Sequence, residues 1–230
     1  MRRKGLIVLG MMLVLFSLQS CKSKPEQGLL ASYFHACSLN DVTTMSTMAI
    51  DPIKIDASSW NVTKVGEEKI EPASLPDMTQ KEADLKKQVE GHVGPTLDAK
   101  DALDVAKDEL NSARTPAARA AAKAKVDQAQ TKYDTEYKLH QDLQKQYNEA
   151  KAAAAKEEEI TAFSLGAGQL PNIRDLKGQV HAKDVEVAAK LKDGSTKNYR
   201  ITIEMYDLKD EAANVIHRGR WVITKFESLS

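Results

Sequence analysis

The chain has 230 residues, with 33 Lys and Arg against 33 Asp and Glu, and hydrophobic residues make up 42% of it. A balanced charge argues against a dedicated nucleic-acid or polybasic membrane binder, and the length suits one or two domains. With only two cysteines, Cys21 and Cys37, the chain has no disulfide framework.

The first element is distinct in chemistry. Arg2, Arg3 and Lys4 form a basic cap, followed by an apolar run from Gly5 to Leu18. These 14 residues fall short of the roughly 20 that a helix needs to cross a hydrocarbon core. A basic cap, a short apolar run and then small or polar residues predict a secretory signal over residues 1–20 rather than a permanent span.

Leu18-Gln19-Ser20-Cys21 closes that run, and it resembles the lipobox of bacterial lipoproteins. The resemblance implies cleavage between Ser20 and Cys21 and acylation of the Cys21 thiol and its new amine. It also implies an envelope location in which Lys22, rather than Asp, favours the outer membrane facing the periplasm. Three acyl chains would hold the protein stably, since two already do. The mature chain would carry 30 Lys and Arg against 33 acids, and Cys37 would be its only free thiol. Residues 21–27 are expected to form the lipidated Cys and a short tether, which spans at most about 20 Å over Lys22 to Gln27.

Residues 28–76 read as the first part of an α+β head domain. Leu29, Leu30, Tyr33, Phe34 and Cys37 fall on one face of a helix over about 28–38. Asn40 and Asp41 end it and cap a second short helix containing Val42, Met45 and Met48. Trp60 to Val65 reads as a strand, which Glu68 to Ile70 extends or pairs.

Residues 77–162 change character, with no Phe or Trp between 77 and 160, many alanines and dense mixed charge. Met78, Leu85, Val89, Ala99, Leu103, Ala106, Leu110 and Ala113 keep 3-4 spacing. Ala129, Tyr133, Leu143, Tyr147, Ala150 and Ala154 keep it again, which is the coiled-coil signal. Thr115 as N-cap and Pro116 at the first helical position start a second helix, so the pair is expected as an antiparallel hairpin. Gly91 to Pro95 is expected to kink or interrupt the first arm. His92, Glu136 and His140 occupy seam positions and are expected to form a polar layer that fixes register, with a two-His, one-carboxylate metal site as the less favoured reading.

Residues 163–230 read as the second part of the head. Val185, Val187, Ala189 and Leu191 alternate up to an Asp193-Gly194 turn, and Tyr199, Ile201, Ile203 and Met205 alternate after it. Arg220 to Phe226 is the last strand of an antiparallel meander. N-terminal helices on a bent antiparallel sheet, interrupted by a long helical hairpin, make an α+β fold. The stretches Tyr33 to Asp41 and Gly219 to Lys225 resemble the first helix and last strand of the NTF2-like (cystatin-like cone) superfamily. That resemblance implies helices packed across a strongly bent sheet. Residues 77–162 are additional to its basic fold.

No catalytic constellation emerges. His35 falls off the apolar helical face, nothing places Asp41 beside it, and Cys37 lies on the apolar face as a core thiol. Trp60 and Trp221 read as core. No nucleophile elbow, P-loop, dinucleotide fingerprint or paired metal motif is present. No enzyme activity, cofactor or nucleic-acid partner is expected. The sequence points to a membrane-anchored, non-enzymatic scaffold or accessory module that meets a protein partner or a second copy through its arm. The alternatives are a small-ligand module using the concave face of the sheet, and a periplasmic efflux-type adaptor.

Overall fold

A computed structural model describes residues 24–166 and 170–229. The signal segment, Ser20 and the Cys21 lipidation site lie outside the described residues. The first helix, α1 (Pro25–Leu39), begins three residues before the expected start, with Pro25 in its first turn and Asn40 closing it in a left-handed conformation at φ 57°. Its start leaves only residues 22–24 between the proposed lipid site and folded structure. Leu30, Tyr33, Phe34 and Cys37 all point inward, at 4% exposure or less. Asp41 accepts the Thr44 N–H at 3.0 Å and so caps α2 (Val42–Ser46). This helix is shorter than its apolar pattern implied, and Val42 faces solvent.

Two strands of 15 residues form the spine of the sheet, β3 (Lys177–Leu191) and β4 (Thr196–Asp210), paired antiparallel without a register shift. Each outer edge is two strands laid end to end. On one side β1 (Ala57–Val65) pairs with the C-terminal half of β3, and β2 (Lys69–Pro72) pairs with its N-terminal half. On the other, β6 (Val222–Leu229) and β5 (Val215–Arg218) divide β4 in the same way. The strand β5 adds a fourth member where the sequence suggested a three-strand meander.

The second break depends on glycine. A Cβ at Gly219 would lie 2.4 Å from Ser164 Oγ and 3.0 Å from the Tyr206 carbonyl, so only the bare backbone fits. Gly219 N–H donates to that carbonyl at 2.7 Å, and Arg220 N–H donates to the Ser164 carbonyl at 2.8 Å.

The sheet buries opposite faces at its two ends. In the half bearing β1 and β6, Val185, Val187, Ala189, Ile201 and Ile203 are fully buried under α1 and α2. In the other half the buried set changes phase to Tyr206 and Leu208, which with the half-buried Val180 pack on Leu75, Ile160, Leu165, Ile173 and Leu176. Side chains alternate between faces along a strand, so this second core lies on the reverse side of the sheet.

The arm grows from that second core. It consists of α3 (Leu75–Ser112, 38 residues) and α4 (Pro116–Leu165, 50 residues), about 57 and 75 Å long at 1.5 Å per residue. Thr115 caps α4 by accepting the Ala118 N–H at 3.2 Å. Contrary to the expected interruption, α3 is a single helix through Pro95. Gly91, whose carbonyl loses its partner to Pro95, sits on the exposed face where water can serve it.

Candidate functional site

The arm brings His92, Glu136 and His140 into one layer. His92 Nε2 lies 3.0 Å from Glu136 Oε2, and the two side chains are 14% and 27% exposed. Thr96 Oγ1 donates to the His92 carbonyl at 2.9 Å and approaches His92 Nδ1 at 3.2 Å. The His92 and His140 rings lie 6.1 Å apart and nearly parallel, at 20°. His140 Nδ1 is buried and has no hydrogen-bond partner among the described residues. The rings stack rather than converge on a point, and no group of three or more His, Cys, Asp or Glu side chains among the described residues has metal-holding geometry. The layer can fix the alignment of the two arms, because a one-turn slip would bring these polar groups opposite apolar seam residues such as Val89, Tyr133 and Leu143.

Around this layer the seam is thin. Of the ten buried residues that α3 and α4 contribute, five are alanine, so each layer removes little apolar area from water. Meanwhile Val93, Leu97, Val105, Tyr137 and Leu139 stay 43–59% exposed along the shaft. At the root the arms are clasped by Arg174, whose guanidinium donates to Glu82 at 2.8 Å and to Glu158 at 2.7 Å, tying α3 to α4. The sequence reading did not single out Arg174, because it lies outside both heptad runs.

A second polar cluster sits where α1 begins. Glu26 is 3% exposed, and its Oε2 has no hydrogen-bond partner among the described residues. The Lys183 ammonium lies 3.8 Å from it, 2.9 Å from Glu68 Oε2 and 5.0 Å above the Trp221 ring. His181 Nδ1 is 2.6 Å from Glu68 Oε1, and these two contacts hold the Glu68 carboxyl below the usual glutamate range. This cluster was also missed in the sequence, although a signal was there. His181 and Lys183 sit in the same phase of β3 as Val185 and Val187, and a charged side chain in a buried phase needs a partner.

On the reverse face, burial and the neighbouring Glu157 push the Glu204 carboxyl up. The Tyr206 hydroxyl donates to Glu157 at 2.8 Å and lies 3.3 Å from Glu204, which bridges α4 to the sheet.

The remaining candidates do not assemble into a reactive set. Asp41 is occupied by the α2 cap, which lowers its carboxyl, and His35 points to solvent. The Cys37 thiol is buried, 3.2 Å from Met45 Sδ, and burial raises it. Tyr33 donates to the Ile53 carbonyl at 2.7 Å and accepts the Ile53 N–H at 2.9 Å, fixing the loop before β1. Trp60 stacks on Phe34 at 4.7 Å against the first core. No helix among the described residues is long and apolar enough to cross a membrane. Comparison with protein-family models, curated proteins and solved structures finds no match to this chain.

Proposed function

We propose that the chain is a bacterial envelope lipoprotein, anchored through an acylated Cys21, that works without catalysis as a scaffold or accessory subunit. Its helical arm meets a protein partner or a second copy, and its head, on the NTF2-like plan, holds the arm near the outer membrane on the periplasmic side. The observation that carries this reading is the arm's incomplete burial. Two long helices share an alanine-rich seam and still expose Val93, Leu97, Val105, Tyr137 and Leu139. A third helix laid against them would remove that surface from water. The ligand-module alternative has less support, because the sheet face under α1 is filled by Leu30, Tyr33, Phe34, Val185, Val187, Ile201 and Ile203. An efflux-type adaptor needs paired half-motifs beside the hairpin, and none is seen.

The test is a pull-down from whole envelopes using the mature protein and a form with residues 78–160 replaced by a short turn. Partners should be lost with the arm, and photo-crosslinkers at Lys107 or Lys138 should give specific adducts. Partners retained by the armless form would move the function to the head. Mass spectrometry of the envelope protein should find a triacylated Cys21 as the N-terminal residue, and an unmodified Cys21 would remove the anchor from the reading.

A further inference from the structure

The arm is polarised in charge along its length. Residues 75–109 and 127–159 together hold 17 acids against 10 Lys and Arg, whereas residues 110–126 hold Arg114, Arg119, Lys123, Lys125 and no acid. The hairpin brings this basic stretch together at its far end, where α3 stops and α4 starts. Lys125 pairs with Glu109 at 2.6 Å. Arg114, Arg119 and Lys123 are exposed, and none has an ion-pair partner among the described residues. Opposite helix ends meet at the tip, so their partial charges offset each other and the side chains set the sign. The balanced charge of the whole chain conceals this local excess, because the acidic shaft cancels it.

We propose that the tip is a docking surface for a bilayer rich in anionic phospholipid, and that the arm meets it end-on. Charge complementarity selects the partner. Three free cations face a planar array of phosphates, and the acidic shaft is repelled by the same array, which disfavours side-on approach. The chemistry of the tip also makes this contact superficial. Its exposed apolar residues are alanines and Pro116, while Leu110 and Val126 are half-buried in the seam. An inserting helix would present Trp, Phe or Leu instead. The proposal deepens the scaffold reading, on which it rests for the presence of a second envelope surface within about 57 Å of the head.

Vesicle sedimentation tests it directly. The chain from residue 22 onward carries both cores and the whole arm, and is mixed with vesicles of equal parts phosphatidylglycerol and phosphatidylcholine, or of phosphatidylcholine alone. Partition should be at least about tenfold stronger on the anionic vesicles and should fall as salt rises. The variant R114Q/R119Q/K123Q should lose roughly a hundredfold, at about fivefold per cation. A shaft variant with the same charge change, K132Q/K138Q/K145Q, should stay within about twofold. Because all six positions are exposed, circular dichroism should show unchanged helix content. Equal partition on the two vesicle types, equal losses in tip and shaft variants, or tighter binding to soluble polyglutamate would each overturn the proposal. Vesicle failure alongside arm-dependent partners would leave the scaffold reading standing, and vesicle binding without such partners would do the reverse.

Discussion

Glu68 and Glu204 sit in opposite electrostatic settings. Hydrogen bonds from His181 and Lys183 lower the Glu68 carboxyl, so folding favours its charged form. That contribution is complete above the ordinary glutamate range and is lost as pH falls through the lowered value. Burial and Glu157 raise the Glu204 carboxyl, so folding favours its neutral form, and that contribution is lost as pH climbs from the ordinary range through the raised value. Thermal melts should therefore separate the two. Glu204→Gln should raise the melting temperature near neutrality and change it little at about pH 4, whereas Glu68→Gln should lower it near neutrality. The same sign of change for both variants near neutrality would refute the assignment. Only the buried phase of His181 and Lys183 hinted at the Glu68 setting, because the carboxylate lies 113 positions from His181, and the Glu157 that faces Glu204 belongs to a separate helix. The apolar face of α1 was legible, since Leu30, Tyr33, Phe34 and Cys37 keep helical spacing within a single element.

Among elements, the arm was the most legible, because a 3-4 repeat over many turns needs no knowledge of the rest of the fold. Its polar layer followed from the same repeat, as His92, Glu136 and His140 stand where apolar residues belong. The expected kink or interruption at Pro95 does not break the helix, for a local reason. Gly91 and Pro95 lie on the solvent face, so the lost hydrogen bond exposes a carbonyl to water instead of burying it. The layer itself has a testable energetic sign. His140→Leu removes a buried, unpartnered Nδ1 and should stabilise the arm by about 1–2 kcal/mol in urea unfolding. Glu136→Ala, which leaves His92 Nε2 unpaired, should cost about 1 kcal/mol. A stabilised His140→Leu would mean the layer serves alignment rather than strength, and a large loss would show that ring stacking on His92 dominates.

At the scale of the whole molecule, two cores share one sheet from opposite sides. The sequence foretold the first core but not the second, although the change of phase from Met205 to Tyr206 and Leu208 is written in β4. An alternating pattern read as one continuous face hides such a switch. Leu208→Ala, at a side chain only 2% exposed, should cost about 2–4 kcal/mol. Hydrogen exchange should quicken at the arm root around Ile160 to Leu165 and stay slow in α1. Uniform loss of protection through both cores would mean that they unfold as one.

The way the arms join the sheet governs how the molecule would respond to a pull. Just before α3 the chain runs through β2, β3 follows α4 only after the short 3-10 turn Ile173–Asp175, and Pro72 pairs with Gln179 at the end from which both arms leave. A partner drawing both arms outward together tugs two bonded strands in the same direction, and the load spreads into β4. A partner prising them apart would open the β2–β3 ladder one rung at a time, like a zip, starting at Pro72. Arg174, bridging Glu82 and Glu158, is the clasp that such a wedge must undo first.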